Sequence, residues 1–87
     1  MNRRQIKLDT IYKHFKGDMY LVEYFAGNVE TGETMVIYRK LYDDVSMMCR
    51  PYDVFNSKVD KIKYPDCKQE YRYEEAIIES ERPHFHG

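Results

Sequence analysis

The chain is poor in the residues that mark several classes of protein: its 87 residues include no tryptophan, two cysteines and three prolines. Cys49 and Cys67 lie neither in a CxxC pair nor beside paired histidines, so we predict no structural zinc site and no disulfide scaffold. No apolar run approaches the roughly 18 residues of a membrane span, and the polar N-terminus does not resemble a signal peptide. We therefore expect a cytoplasmic protein with no membrane contact, no metal and no cofactor.

An excess of one charge is also missing, because 14 Lys and Arg stand against 15 Asp and Glu, which leaves a net charge of −1. Non-specific nucleic-acid binding depends on a basic surface that neutralises phosphates, so the overall charge argues against a nucleic-acid partner. The N-terminal segment differs from the rest, since residues 1–17 contain one acid and five bases. These bases belong either to an arm that contacts a partner or to a solvated terminus.

Aromatic residues are plentiful, with nine tyrosines and four phenylalanines, and this composition favours strands. The segment MYLVEYFAG alternates with period two, which places Tyr20, Val22 and Tyr24 on one face of a strand. The segments IYKHF, TMVIYRKLY, VSMMCR and EYRYEE predict four further strands. The spacing of Tyr52, Phe55 and Val59 after a proline instead predicts one or two helical turns.

These elements predict a mainly β fold. One form is a small SH3-like barrel, and the other is a strongly curled antiparallel sheet with one short helical turn; either limits the exposed strand edges. We expect a flexible N-terminal arm at residues 1–10, a single small β domain at 11–75 and a polar tail at 76–87.

Several sequence blocks resemble a known family. They are Y-K-H-F-K-G-x-x-Y-x-V from Tyr12, then E-T-x-E, V-I-Y-R-x-L-Y and R-P-x-x-x-F-x-x-x-V. Together they are similar to DUF1653, a bacterial and phage family of domains of unknown function, over about residues 12–74. The resemblance implies a compact, mostly β, single-domain protein and brings no activity, substrate or cofactor.

Two charged residues and a histidine are candidates for contacts with a ligand. Arg50 precedes a proline at the end of a strand, where its guanidinium could hold a carboxylate or phosphate, or could pair with Glu30 as a structural brace. His14 is either an acid/base group or hydrogen-bond donor for a ligand, or a strand residue with one satisfied nitrogen. Lys16 lies in the turn at Gly17, which is a weak indication of an anion-binding turn.

The tyrosines offer a second candidate surface. Tyr38 and Tyr42 are four residues apart, as are Tyr20 and Tyr24, so each pair is predicted to share a strand face. Such a wall would bind a peptide, a cation or a stacked base, or else form the core and its rim.

Three functions remain open from the sequence. The first is a binding module for a small anionic ligand, a peptide or a nucleic acid, using His14, Lys16, Glu30, Tyr38, Tyr42 and Arg50. The second is a small enzyme built on His14, Glu30 and Arg50, against which the lack of a nucleophile motif counts. The third is a docking or dimerisation domain, and we expect a monomer or a weak homodimer.

Overall fold

A five-stranded antiparallel sheet with one helical turn forms the structure, a computed structural model that describes residues 4–76. Its elements in chain order are β1 (Thr10–His14), β2 (Met19–Gly27), β3 (Thr34–Lys40), β4 (Met47–Pro51), α1 (Tyr52–Phe55) and β5 (Tyr73–Glu75). The spatial order of the strands is β4-β3-β2-β1-β5. The first three residues of the predicted arm, and the predicted polar tail beyond Ala76, lie outside the described residues.

The prediction of a mainly β fold is confirmed, and the curled sheet is the form that matches. β4 and β5 are the two edges of the described sheet, which is therefore not closed into a barrel. In a flat sheet these edges would lie four strand spacings apart, or roughly 19 Å at about 4.8 Å each. Yet Arg50 on β4 donates from Nε to the Tyr73 hydroxyl on β5 over 3.1 Å. The sheet must curl strongly to bring these side chains together.

A bulge in β2 changes the face that each residue presents. Val22 pairs with Tyr38, but Tyr24 pairs with Ile37, so Glu23 is the extra residue. The alternation predicted from Tyr20 and Val22 to Tyr24 is therefore wrong beyond the bulge. Tyr24 is 61% exposed on the outer face, and the residue after it, Phe25, takes the inner position opposite Val36.

Aromatic rings fill the space inside the curl. The largest fully buried side chains are Tyr12, Tyr38, Phe55, Val22 and Val36. The ring of Phe55 stacks on that of Tyr73 with centroids 4.0 Å apart and an interplanar angle of 10°. The same Phe55 ring meets Tyr12 and Tyr38 edge-on at 5.5 and 5.1 Å. The helical turn thus positions the ring on which three strands pack.

The segments that flank the strands close the ends of this core. α1 is a single helical turn, at the short end of the prediction, and Val59 is buried beyond it. Residues 4–9 precede β1, and among them Ile6 is 4% exposed. Its backbone N–H donates to the Tyr52 hydroxyl over 2.8 Å, which ties the start of the described chain to the helical turn.

Candidate functional site

A cavity of about 560 Å³ opens beside the buried tyrosines. The β1–β2 hairpin contributes His14, Phe15 and Lys16 to its lining, and the two edge strands contribute Arg50 and Tyr73. The connection between α1 and β5 supplies most of the remaining wall. The cavity is therefore assembled from parts of the chain that only the curl of the sheet brings together.

Arg50 lines this cavity without a carboxylate partner among residues 4–76. Its Nε group donates to the hydroxyls of Tyr38 and Tyr73 over 2.9 and 3.1 Å. Within residues 4–76, neither Nη nitrogen forms a hydrogen bond, and no carboxylate lies within ion-pair distance. Two neutral groups thus hold one edge of the guanidinium, while its two-pronged end is available to an anion.

The Tyr38 hydroxyl that holds Arg50 stays protonated at ordinary pH. Burial raises the pKa of the Tyr38 hydroxyl, and the neighbouring Tyr73 raises it further. Burial likewise raises the pKa of Tyr20, whose hydroxyl lies 2.9 Å from that of Tyr42. The hydroxyls of Tyr38 and Tyr20 therefore supply no negative charge that would neutralise Arg50.

His14 is a neutral member of the lining. Its pKa is lowered by burial first and then by the positive charges of Arg72, Lys16 and Arg50. The Nδ1 atom accepts the backbone N–H of Lys16 over 3.1 Å, which requires that nitrogen to be unprotonated. The ring also meets the edge of Tyr73 with centroids 4.9 Å apart.

Positive charge dominates the lining as a whole. The two carboxylates in it are Asp18 and Asp60, and Asp60 accepts the backbone N–H groups of Ile62 and Lys63 over 3.0 and 3.3 Å. The five cationic side chains of the lining are Lys16, Arg50, Lys58, Lys63 and Arg72. Lys58 also pairs with Glu70 over 3.2 Å at the exposed rim. A partly enclosed excess of positive charge attracts anions.

A tight turn places the hairpin residues against β5. His14 donates its backbone N–H to the Asp18 carbonyl over 2.8 Å, and Gly17 donates to the His14 carbonyl over 2.7 Å. Gly17 has a φ of +112°, and a Cβ there would meet no atom within 4 Å, so the backbone angle rather than space calls for glycine. Phe15 then donates its N–H to the Arg72 carbonyl over 2.8 Å.

Three of the six residues predicted for a site line this cavity: His14, Lys16 and Arg50. Tyr38 and Tyr42 do not line it but contact residues that do. The Tyr38 hydroxyl accepts a hydrogen bond from Arg50, and the Tyr42 hydroxyl shares one with the hydroxyl of Tyr20.

Glu30 lies apart from these residues. It is exposed in the β2–β3 turn, where its N–H donates to Asn28 Oδ1 over 2.9 Å, and it does not line the cavity. Glu30 therefore does not pair with Arg50, whose side chain is held instead by the hydroxyls of Tyr38 and Tyr73.

Sequence reasoning missed the basic residues that the α1–β5 connection contributes. Lys58 and Lys63 belong to the polar segment KVDKIKYPDCKQ, whose sequence predicts no strand, and Arg72 belongs to EYRYEE, the last predicted strand. The two lysines just before Tyr64, at positions 61 and 63, were the available indication. Their contribution depends on the pairing of residues 57–59 with 70–72, where Arg72 donates its N–H to the Ser57 carbonyl over 2.9 Å.

The family model described as a protein of unknown function, DUF1653, matches residues 10–81 of this chain. The chain belongs to the DUF1653 family. A crystal structure of a DUF1653 protein from Bordetella bronchiseptica is similar, with 27% sequence identity and a TM-score of 0.67 over 85% of this chain and 95% of that one. No curated protein matches the chain. In the part of the chain that the structure describes, no helix is long and apolar enough to span a bilayer.

Proposed function

We propose that this DUF1653 domain binds a small anionic ligand in the cavity beside the tyrosine cluster. The observation that carries the proposal is the Arg50 guanidinium, which tyrosine hydroxyls hold by Nε and which no carboxylate among residues 4–76 neutralises. An arginine fixed in this way presents two parallel N–H groups with little further loss of side-chain freedom, which is the geometry that a carboxylate or phosphate accepts.

The neighbouring charges favour an anion with more than one negative charge. Lys16, Lys63 and Arg72 line the same cavity as Arg50. Each adds attraction that a partly enclosed site screens less than open water does. The net charge of −1 for the whole chain supports a compact ligand over a long polyanion, because a long polyanion needs a positive surface that extends beyond one cavity.

The compartment that we expect for this function is the cytoplasm. Cys49 and Cys67 are both free thiols. Free thiols suit a reducing compartment, where disulfides are rare. Small phosphorylated and carboxylated compounds are then the pool from which the ligand comes.

Thermal unfolding in sodium phosphate or pyrophosphate, compared with chloride at equal ionic strength, tests the proposal. A ligand that binds only the folded protein raises the melting temperature in proportion to RT ln(1 + [L]/Kd). We expect such a rise for the native protein, its loss in Arg50→Met, and its persistence in Arg39→Met, where the same substitution falls on the outer face of the sheet.

Two results would contradict the proposal: no rise in the native protein with either anion, or an equal rise in Arg50→Met. If Arg50→Met does not fold, Arg72→Gln replaces it. Arg72 lines the cavity without bonding to the buried tyrosines through its side chain, and we expect this variant to reduce the rise.

A further inference from the structure

We call the cavity that Arg50, Lys16, Lys63 and Arg72 line the cationic cavity. A second and larger hollow, of about 800 Å³, adjoins it. Four residues line both hollows: Phe15, Lys16, Lys63 and Tyr64. We call the second hollow the aromatic groove, because Phe15, Tyr64 and Pro65 supply its apolar wall. The two hollows are therefore neighbours that share one aromatic and basic border.

The rings at this border are arranged to receive another planar group. Phe15 and Tyr64 meet edge-to-face, with centroids 4.8 Å apart and an interplanar angle of 65°. Both side chains are partly exposed, in contrast to the buried rings of the core. The His14 ring covers part of one Phe15 face, with centroids 4.6 Å apart and an interplanar angle of 32°. The exposed parts of Phe15 and Tyr64 can still stack on a planar ligand.

Basic side chains stand next to the same rings. Lys16 Nζ lies 5.9 Å from the Phe15 centroid and 5.7 Å from that of Tyr64. Lys63 Nζ lies 5.7 Å from the Tyr64 centroid. A ligand that crosses the border thus meets both aromatic rings and positive charge.

We infer that the cationic cavity and the aromatic groove form one two-part site for a small molecule that joins a phosphate to a planar ring, as a mononucleotide does. This inference rests on the proposed anion site, which would hold the phosphate near Arg50. The planar ring would lie in the groove against Phe15 and Tyr64, and Lys16 and Lys63 would contact the linking portion between the two parts.

The physical basis is the addition of two independent interactions. A phosphate group supplies the charge that the cationic cavity attracts. Stacking a base on an aromatic side chain strengthens binding by tenfold or more in typical cases. Joining both groups in one molecule also means that the second contact forms without a second loss of translational freedom.

Calorimetric titration with three matched probes tests the inference: adenosine monophosphate, ribose 5-phosphate, which lacks the ring, and adenosine, which lacks the phosphate. We expect the monophosphate to bind about tenfold more tightly than ribose 5-phosphate. In Tyr64→Leu this advantage should shrink, because binding of the monophosphate should weaken more than binding of ribose 5-phosphate. Tyr24→Leu is the matched control, because Tyr24 lies exposed on the outer face, and it should retain the advantage.

The outcomes separate this inference from the proposed function. Equal binding of the two phosphates, with both lost in Arg50→Met, would overturn the two-part site and leave the anion site standing. Failure of both phosphates to bind would overturn both. Tighter binding of a short single-stranded oligonucleotide than of its mononucleotide would overturn the small-molecule form. If Tyr64→Leu does not fold, Phe15→Leu makes the same test from the other ring.

Discussion

Two arginines on neighbouring strands show how the two faces of the sheet differ. Arg39, on the outer face of β3, donates from Nε to Glu23 over 2.6 Å and from Nη1 to the Val45 carbonyl over 3.1 Å. Arg50, on β4, reaches inward and donates to two tyrosine hydroxyls. A carboxylate neutralises the first charge, whereas neutral groups position the second. Of these two arginines, Arg50 is the one that is held in place without a carboxylate partner among residues 4–76.

The largest expected effect comes from breaking the packing that the inner face depends on. Phe55→Ala removes the ring that stacks on Tyr73 and contacts Tyr12 and Tyr38, so it leaves a cavity under the residues that hold Arg50. We expect the free energy of unfolding to fall by about 3–5 kcal/mol in urea denaturation. Tyr24→Ala on the outer face should cost well under that amount. Equal losses of unfolding free energy in Phe55→Ala and Tyr24→Ala would contradict the difference in packing between the two faces.

A sharper test removes the hydroxyls that hold Arg50. Because one Nε–H is shared between Tyr38 and Tyr73, either Tyr→Phe change alone leaves an acceptor in place. The double variant leaves a partly buried donor unpaired, which costs about 1–3 kcal/mol. We therefore expect the loss of unfolding free energy in the double variant to exceed the sum of the two single losses, as measured by a double-mutant cycle.

The outer pair supplies the control for this cycle. Glu23→Gln removes the carboxylate partner of Arg39, whose side chain is 39% exposed. We expect a loss of at most about 1 kcal/mol, and a smaller one in high salt, because exposed ion pairs are screened. Strict additivity of the two Tyr→Phe changes would show instead that Arg50 does not depend on shared acceptors.

The smallest expected effect is a dependence on pH. The pKa of His14 is lower in the folded protein than its ordinary value of 6.5, mainly through burial. The unfolded chain therefore binds the proton first, so stability should fall as the pH drops below about 6.5 and through the lower folded pKa. Melting temperatures measured from pH 8 to pH 5 should show this loss, and His14→Gln should reduce it.

Bound phosphate gives the pH experiment a second readout. An anion in the cavity offsets the charges of Arg72, Lys16 and Arg50 that help to lower the pKa of His14. Phosphate should therefore reduce the loss of stability at low pH. An identical pH dependence in the native protein and in His14→Gln would show that another group is responsible.

Local patterns predicted much of the fold. Period-two alternation located the strands around Val22 and Val36, and the glycine at position 17 marked the tight turn between β1 and β2. Pro51 marked the change from strand to helical turn. These predictions depend on contacts between near neighbours in the chain, and such contacts are visible in a single sequence.

Local sequence patterns did not predict the features that depend on contacts between distant parts of the chain. The bulge at Glu23 reverses the faces of the residues after it, and no residue type in the segment marks it. The partners of Arg50 were sought among carboxylates, yet Tyr73 lies 23 positions away on the opposite edge of the sheet. Arg72 joins the same cavity through a pairing of residues 57–59 with 70–72.

The sequence by itself therefore determined that this protein is built of short antiparallel strands rich in tyrosine, because side-chain alternation and turn residues act locally. The tertiary structure decided which charges remain uncompensated. The curl of the sheet brings β4, β5 and the β1–β2 hairpin around one cavity. Electrostatic pairing depends on distances in space, which the numbers of acids and bases in the sequence do not reveal. In the folded chain Glu23 neutralises Arg39, whereas Arg50 has no carboxylate partner among residues 4–76.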